Sequence, residues 1–430
     1  LIHLPAERHE SASVWPTLRT ENRQTLVCSA ASIATDTDHP NQAGGKKLGR
    51  DGFYSGTLLL TSFMPNPETN ASEPGALGKS PLRSIHTNTI PKTLNHISAS
   101  LAVTTYQAGK LVLLRAETVA GAAESVLNTH FRAFNKPMGF IWEPGRFALG
   151  TNTEIWEYHD MPAVARKLDL PEYTAHHDAA FLPRMSHITG DVQVHEMVWV
   201  PQPAGLSELC FVNTRFSCLA ARSNLYSFVP RWKPPFITSL APEDRCHLNG
   251  MCLRDGKIRY VTALGQTDTR AGWRDNKRAG GIVMDVPSNQ IIVSGLSMPH
   301  SPRWFNGKLW VLESGNGGIG TINESTGKYQ ELCRLPGFTR GLDFAGPYAF
   351  VGLSQVRESA VFSGIAIADM KQEDRCCGVW AIDTRNGQVA GSYIRLCRQL
   401  KLGQVEQAAI VCGERTIAPR SLAHDSNYLN

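Results

Sequence analysis

The feature that most constrains this chain is an internal repeat. Six short segments share an apolar pair running into small or polar residues: LAVTTY (101–106), FALGTN (147–152), CFVNTR (210–215), RYVTAL (259–264), LWVLES (309–314) and AFVGLS (349–354). Their second apolar positions, Val103, Leu149, Val212, Val261, Val311 and Val351, lie 46, 63, 49, 50 and 40 residues apart. A period near 50 residues is that of a four-stranded propeller blade, a unit that must stack on its neighbours to bury its faces. Five repeats also carry an upstream strand: GFIW after Met138, EMVWV after His195, GMCL after Asn249, RWF after Pro302 and GLDF after Arg340. Asp255-Gly256 and Asn306-Gly307 fit the tight turns that join such strands. The expected fold is all-β, a six-bladed β-propeller. A pair of β-sandwiches would not repeat one local pattern six times.

Composition agrees with a turn-rich, folded chain. With 42% hydrophobic and 19% charged residues in 430, a large core can be buried. The 37 Gly and 25 Pro residues favour turns over a helical bundle. A net charge of +5, scattered along the chain, is too small for a nucleic-acid footprint, so no nucleic-acid partner is expected. No apolar run approaches the roughly 18 residues of a membrane helix, so no membrane partner is expected either. The chain lacks a basic segment leading into an apolar one at its start, and its ten cysteines form no CxxC pair. Reduced thiols in a cytoplasmic protein are the expectation. Residues 1–93, rich in Ser, Thr, Asn, Pro and Gly, read as a low-complexity, disordered leader. The propeller spans 94–394, and 395–430 reads as an atypical tail.

In a propeller the first strand of each blade lines the central channel, and the loop after the second strand reaches the same end. Setting Met197, Met251, Trp304 and Leu342 as equivalent puts His195, Asn249, Pro302 and Arg340 two residues earlier, and Gln193, His247, His300 and Phe338 four earlier. Side chains two apart on a strand share a face. His195, His247, Asn249, His300 and Arg340 are therefore expected at one channel mouth. The loops bring Asn152, Asn213, Thr214, Arg215, Gln266, Asp268, Glu313, Ser314 and Gln355. Three imidazoles suit a divalent transition metal better than Ca or Mg, giving His195, His247 and His300 as metal ligands. The competing reading is that each His closes a turn by bonding to backbone. His176-His177-Asp178 is a second, weaker metal candidate. The LESGNGGIG run (312–320) lacks the Lys-Ser/Thr and the helix of a phosphate loop and reads as a hairpin turn.

The long segments TGDVQVHEM, FVNTRFSCL, APEDRCHLNGM, YVTALGQTDTRAGW, LSMPHSPRWFNGKLWVLESG, LPGFTRGLDF and AFVGLSQVRES occur in this order. They resemble an uncharacterised, largely bacterial family of conserved hypothetical proteins, a domain of unknown function. The resemblance covers about 94–394 and implies a propeller-like domain without bringing an activity, substrate or cofactor. Its HEM, RCHLNG, MPHSPRW and TRGL motifs fall on His195, His247, Asn249, His300, Arg303 and Arg340. After Tyr393 the likeness stops, as a reading-frame shift in the gene model would produce, and closure of the last blade is then in doubt.

The functional expectation is a His/Asn/Arg-lined central pocket for a small polar ligand, with Asn213, Arg215, Asn249 and Arg303 as ligand-binding residues. In an enzymatic version the three histidines hold a metal or shuttle protons. Glu196 or Glu313 is then the base, and Arg340 steadies developing negative charge. The alternative is a non-catalytic protein-interaction scaffold.

Overall fold

The computed structural model describes residues 84–117, 125–168, 178–356, 363–395 and 407–412. They form six antiparallel sheets, one per sequence repeat. Strand β1 (Ser84–His86) and helix α1 (Thr89–His96) precede the first blade, which continues with β2 (Ala99–Thr105), β3 (Lys110–Glu117) and β4 (Val126–Ala133). Blade two is β5 (Phe140–Glu143), β6 (Arg146–Gly150), β7 (Glu154–Asp160) and β8 (Phe181–Ile188). Blade three is β9 (Val194–Pro201), β10 (Ser207–Asn213), β11 (Cys218–Ala221) and β12 (Val229–Trp232). Blade four is β13 (Leu248–Arg254), β14 (Lys257–Ala263), β15 (Gly281–Asp285) and β16 (Gln290–Leu296). Blade five is β17 (Pro299–Phe305), β18 (Lys308–Glu313), β19 (Gly318–Asn323) and β20 (Lys328–Arg334). Blade six is β21 (Phe338–Ala345), β22 (Tyr348–Ser354), β23 (Gly378–Asp383) and β24 (Val389–Arg395), and β25 (Gln407–Cys412) follows. Among the described residues no helix is long and apolar enough to cross a membrane.

The six repeated segments are the second strands β2, β6, β10, β14, β18 and β22, and the five upstream segments are the first strands β5, β9, β13, β17 and β21. These strands read as nearly continuous apolar runs because both faces of a blade are covered by the blades beside it. Along β10, Leu209 and Phe211 pack towards blade two, while Cys210 and Val212 pack towards blade four. Along β22, Ala349 and Val351 face blade five, and Phe350 faces blade one. The core is thus a ring of six interfaces, each with its own cluster: Leu149 with Leu111, Ile155 with Phe211, Val212 with Val261, Val283 with Val311, Leu312 with Val351, and Phe350 with Val103. The turns behave as their chemistry requires. Asp255-Gly256 has φ of 54° and 72°, and Asn306-Gly307 has 49° and 71°, the left-handed pair that matches strand twist in a two-residue hairpin.

The inner strands are also stitched blade to blade. Thr104 Oγ1 donates to Met138 O at 2.8 Å, Gly139 N to Val194 O at 2.9 Å, and Thr214 Oγ1 to Leu248 O at 2.6 Å. Asn249 Nδ2 donates to Pro299 O at 3.1 Å, and Gly341 N to Ser301 Oγ at 3.1 Å. These bonds hold the strand ends of successive blades at a fixed spacing.

Closure departs from the sequence-based boundaries at both ends. Strand β25, inside the segment read as a foreign tail, pairs antiparallel with β2 from Thr104↔Gln407 to Ala99↔Cys412. It lies beside β21 and β5, so it is the inner strand of blade one. The strand in doubt was placed in the last blade, yet blade six is complete, and β1 adds a fifth strand to its outer edge through Ile85↔Ile394. Closing from both termini covers strand edges that would otherwise stay open. Residues 84–93, assigned to the leader, also belong to the fold: Ile90 and Leu94 of α1 are 1% exposed between blades six and one. Burial of each stabilises by about 1.5–3 kcal/mol. The rest of the predicted leader, 1–83, lies outside the described residues, as do His176 and His177.

Candidate functional site

The three histidines expected at the channel mouth do come together, by a route that differs in one blade. Gln193, His247 and Met298 all have left-handed φ, of 56°, 49° and 48°, and each immediately precedes a first strand. The second strand residues are then His195, Asn249 and His300, so His300 is equivalent to His195 and not to His247. A bulge between His300 and Arg303, with Ser301 at φ 52°, takes up the difference, and nothing local in the sequence marks it. His195 and His300 are 8% and 2% exposed, and the His247 side chain is 14% exposed. The His195 and His247 rings meet edge to face at 4.9 Å.

Each imidazole has its Nδ1 engaged. His300 Nδ1 lies 2.9 Å from Met298 O and 2.9 Å from Ser314 Oγ. A carbonyl can only accept, so Nδ1 carries the proton and Nε2 the lone pair. His195 Nδ1 contacts Gln193 O at 3.1 Å and Thr214 Oγ1 at 2.7 Å. The Thr214 hydroxyl hydrogen goes to Leu248 O, so here too Nδ1 is the donor. His247 Nδ1 donates to the Asp244 carboxylate at 2.9 Å, and Trp273 Nε1 donates to the same carboxylate at 3.1 Å. Trp273 also lies against the His247 ring, with centroids 4.6 Å apart. Asp244 and Trp273 are the supporting residues that sequence reasoning missed. The only signal was the three-residue spacing within DRCH (244–247), while Trp273 reads from sequence as edge packing.

Electrostatics keep the two buried rings neutral. Burial pushes His195 well below its ordinary value, and the charges of His247 and Arg340 push the same way. Burial does the same to His300, again with Arg340 and the other two histidines adding to it. Because both values are depressed, the unfolded chain takes up these protons first. The stability they contribute is present above about pH 6.5 and is lost as pH falls below it. Each contributes a slope of up to about 1.4 kcal/mol per pH unit. Urea midpoints are expected to fall from pH 7.5 to 5.5, and His300→Phe should remove about half of the histidine slope. An unchanged slope in that variant would show that His300 does not titrate on unfolding.

The other predicted site residues are spent on neighbours. Glu196 is 2% exposed and takes a two-pronged bond from Arg303, Nη1 to Oε2 at 2.9 Å and Nη2 to Oε1 at 3.2 Å. Glu196 follows His195 on β9, so the two side chains project to opposite faces. Glu313 accepts Ser297 N at 3.0 Å and holds that turn. Asn249 uses both ends of its amide, on Pro299 O and on Thr262 Oγ1 at 2.6 Å. Asn213 accepts Phe216 N at 3.1 Å while its buried Nδ2 has no partner, and Arg215 is ion-paired with Asp191. In this arrangement each of these side chains has a partner within the fold, and the charge of Arg340 reaches His195 and His300.

The metal expectation gains no support from the geometry. Among the described residues, no group of three or more His, Cys, Asp or Glu side chains is arranged to hold a metal ion. The charge of Arg340, felt by both buried histidines, opposes a cation there. Burial pushes the thiols of Cys210, Cys218, Cys246 and Cys252 up to about 12, so they stay protonated at neutral pH. Two cavities, of about 340 and 520 Å³, open away from this cluster, one beside Arg254 and Lys257, the other beside Met185 and Leu206.

Residues 88–398 match the family described as Domain of unknown function (DUF4915). The chain belongs to this family. The DUF4915 match takes in α1 and runs to the end of blade six, so it contains the whole histidine cluster and stops short of β25. No curated protein matches the chain. Similar solved structures include a chain of a nidogen/laminin complex, with 11% identity and a TM-score of 0.44 over 73% of this chain and 98% of that one. A protein of unknown function from Bacteroides caccae has 9% identity and a TM-score of 0.42 over 73% and 98%. Virginiamycin B lyase from Staphylococcus aureus has 13% identity and a TM-score of 0.33 over 73% and 100%.

Proposed function

We propose that this propeller binds a small polar ligand at the His195, His247, His300 and Arg340 cluster. The observation that carries the reading is His300 Nε2, a buried lone pair with no hydrogen-bond partner. Leaving such an atom unsatisfied costs about 1–3 kcal/mol, and an apolar ring would fill the same space without that cost. A site that keeps the imidazole, and fixes its tautomer through two contacts to Nδ1, is suited to receiving a hydrogen from outside the chain. Arg340 adds a fixed positive charge beside it.

A thermal-shift panel of small polar compounds on the full chain tests this. At least one compound is expected to raise Tm in the parent protein and to lose most of that shift in His300→Phe, which keeps the ring and removes the lone pair. If no compound discriminates the two proteins and His300→Phe is the more stable, His300 is a structural residue and the reading falls.

A further inference from the structure

We infer that the connection between β22 and β23 is a strap over the histidine cluster, and that His300 becomes accessible when residues 363–375 lift away from blade five. The inference rests on the binding site proposed above and adds how access to it is controlled.

Connection lengths single out two segments. Between their second and third strands, blades one, two, three and five use only residues 106–109, 151–153, 214–217 and 314–317. Blade four uses 264–280 and blade six 355–377. Loops at this position reach the end of the channel where the histidines lie, so both long segments can extend over them. They meet above blade five. Arg278 Nε donates to Gly364 O at 2.9 Å and its Nη2 to Asp369 Oδ2 at 3.4 Å, while Lys277 Nζ donates to Ser363 Oγ at 3.3 Å. A Cβ on Gly317, in the turn of blade five, would lie 2.8 Å from Ile367 Cδ1, so the strap is seated directly on that turn. Ile365 and Ile367 share one buried cluster with Trp273, Met298 and Phe338. Trp273 lies against the His247 ring, and Phe338 meets the His300 ring edge to face at 5.6 Å. The strap thus rests on the aromatic rings that lie against two of the histidines. His300 Nε2 is sealed from solvent, so whatever reaches it must first displace part of this layer.

The strap is built to move as one body. The buried Arg375 donates to Val356 O at 3.0 Å, Ala368 O at 2.7 Å and Met370 O at 2.6 Å, and Gln355 Nε2 donates to Gln372 O at 3.0 Å. These bonds close the loop at its base and hold it together through its own side chains, as in compact functional loops. Its polar attachment to blade four is much weaker. Arg278 and Asp369 are each 66% exposed, and an ion pair in water contributes little. Internal bonds that outlast the external ones let a segment open without unfolding the sheets below it.

Diethyl pyrocarbonate, which acylates a neutral imidazole at a free ring nitrogen, tests this on the full chain, with the rate at each histidine read by peptide mass spectrometry. Arg278→Ala, which removes the attachment, should speed modification of His300 by about threefold, and Arg375→Met, which loosens the strap itself, by about tenfold or more. The exposed His96 serves as the reference and should not change. Unchanged His300 rates in both variants would overturn the strap. So would a parallel rise in alkylation of Cys218, buried in blade three, because the whole propeller would then have loosened. If circular dichroism shows that Arg375→Met has lost its sheet, Arg278→Ala alone decides. The reagent reports the path to His300 whether or not a ligand binds, so the thermal-shift panel judges the binding site separately.

Discussion

Ending the chain after Arg395 should lower Tm by about 5–10 °C and drive the protein into oligomers. That truncation removes β25, whose six residues pair with β2 from Ala99 to Thr104. A strand hydrogen bond contributes about 1 kcal/mol net, so losing the pairing costs several kcal/mol, a large part of what holds a domain folded. With about 2.1 cal/mol/K of unfolding entropy per residue, each kcal/mol corresponds to roughly 1–2 °C for a domain of about 300 residues. The exposed edge of β2 would also become a template for another chain. Differential scanning calorimetry and size-exclusion chromatography measure both effects. A synthetic peptide covering 405–414 should restore part of the Tm by adding back as a strand. A truncated protein that remains monomeric at the parent Tm would show that the ring closes without β25.

Glu196→Ala is expected to destabilise by up to about 3 kcal/mol, because Arg303, whose side chain is 22% exposed, would lose its two-pronged partner and keep only the field of Asp343. The pair joins blade three to blade five past the first strand of blade four, so it ties together strands that share no hydrogen bond. Taking two charges out of water costs nearly as much as their attraction returns. The double variant Glu196→Leu, Arg303→Met should therefore recover most of the loss, and urea denaturation of both single variants and the double completes the cycle. Ligand-induced shifts at the histidine cluster should survive in the double variant. A double variant as unstable as Glu196→Ala would mean that the two side chains act through other neighbours.

These two predictions concern features that the sequence conveys very unequally. The repeat is legible because it is local. LWVLES and AFVGLS become β18 and β22 through apolar residues that must face both neighbouring blades, and Asn306-Gly307 turns because those two residues tolerate left-handed φ. Five first strands accompany the six second strands in the sequence, and the sixth, β25, was not found there. Its identity was not legible, since β25 lies some 300 residues from its partner β2 and the run QAAIVC carries no mark of where it will pair.

The candidate site divides in the same way. The HEM, RCHLNG and MPHSPRW segments place three histidines at the ends of neighbouring first strands, and spacing alone brings them to one region. What each polar atom does was decided by tertiary structure. The bulge after His300 changes its register, Arg303 from blade five reaches Glu196 and pairs with it, and Asn249 bonds to Pro299 and Thr262. Asp244 and Trp273 acquire their role only because the loop between blades three and four folds against the insertion within blade four. Strand periodicity and turn chemistry act between neighbours in the chain, so the sequence by itself determined six blades and where the histidines cluster. Hydrogen-bond partners, burial and ring closure join residues tens to hundreds of positions apart, so only the folded chain could determine which polar groups are satisfied and that His300 Nε2 is not.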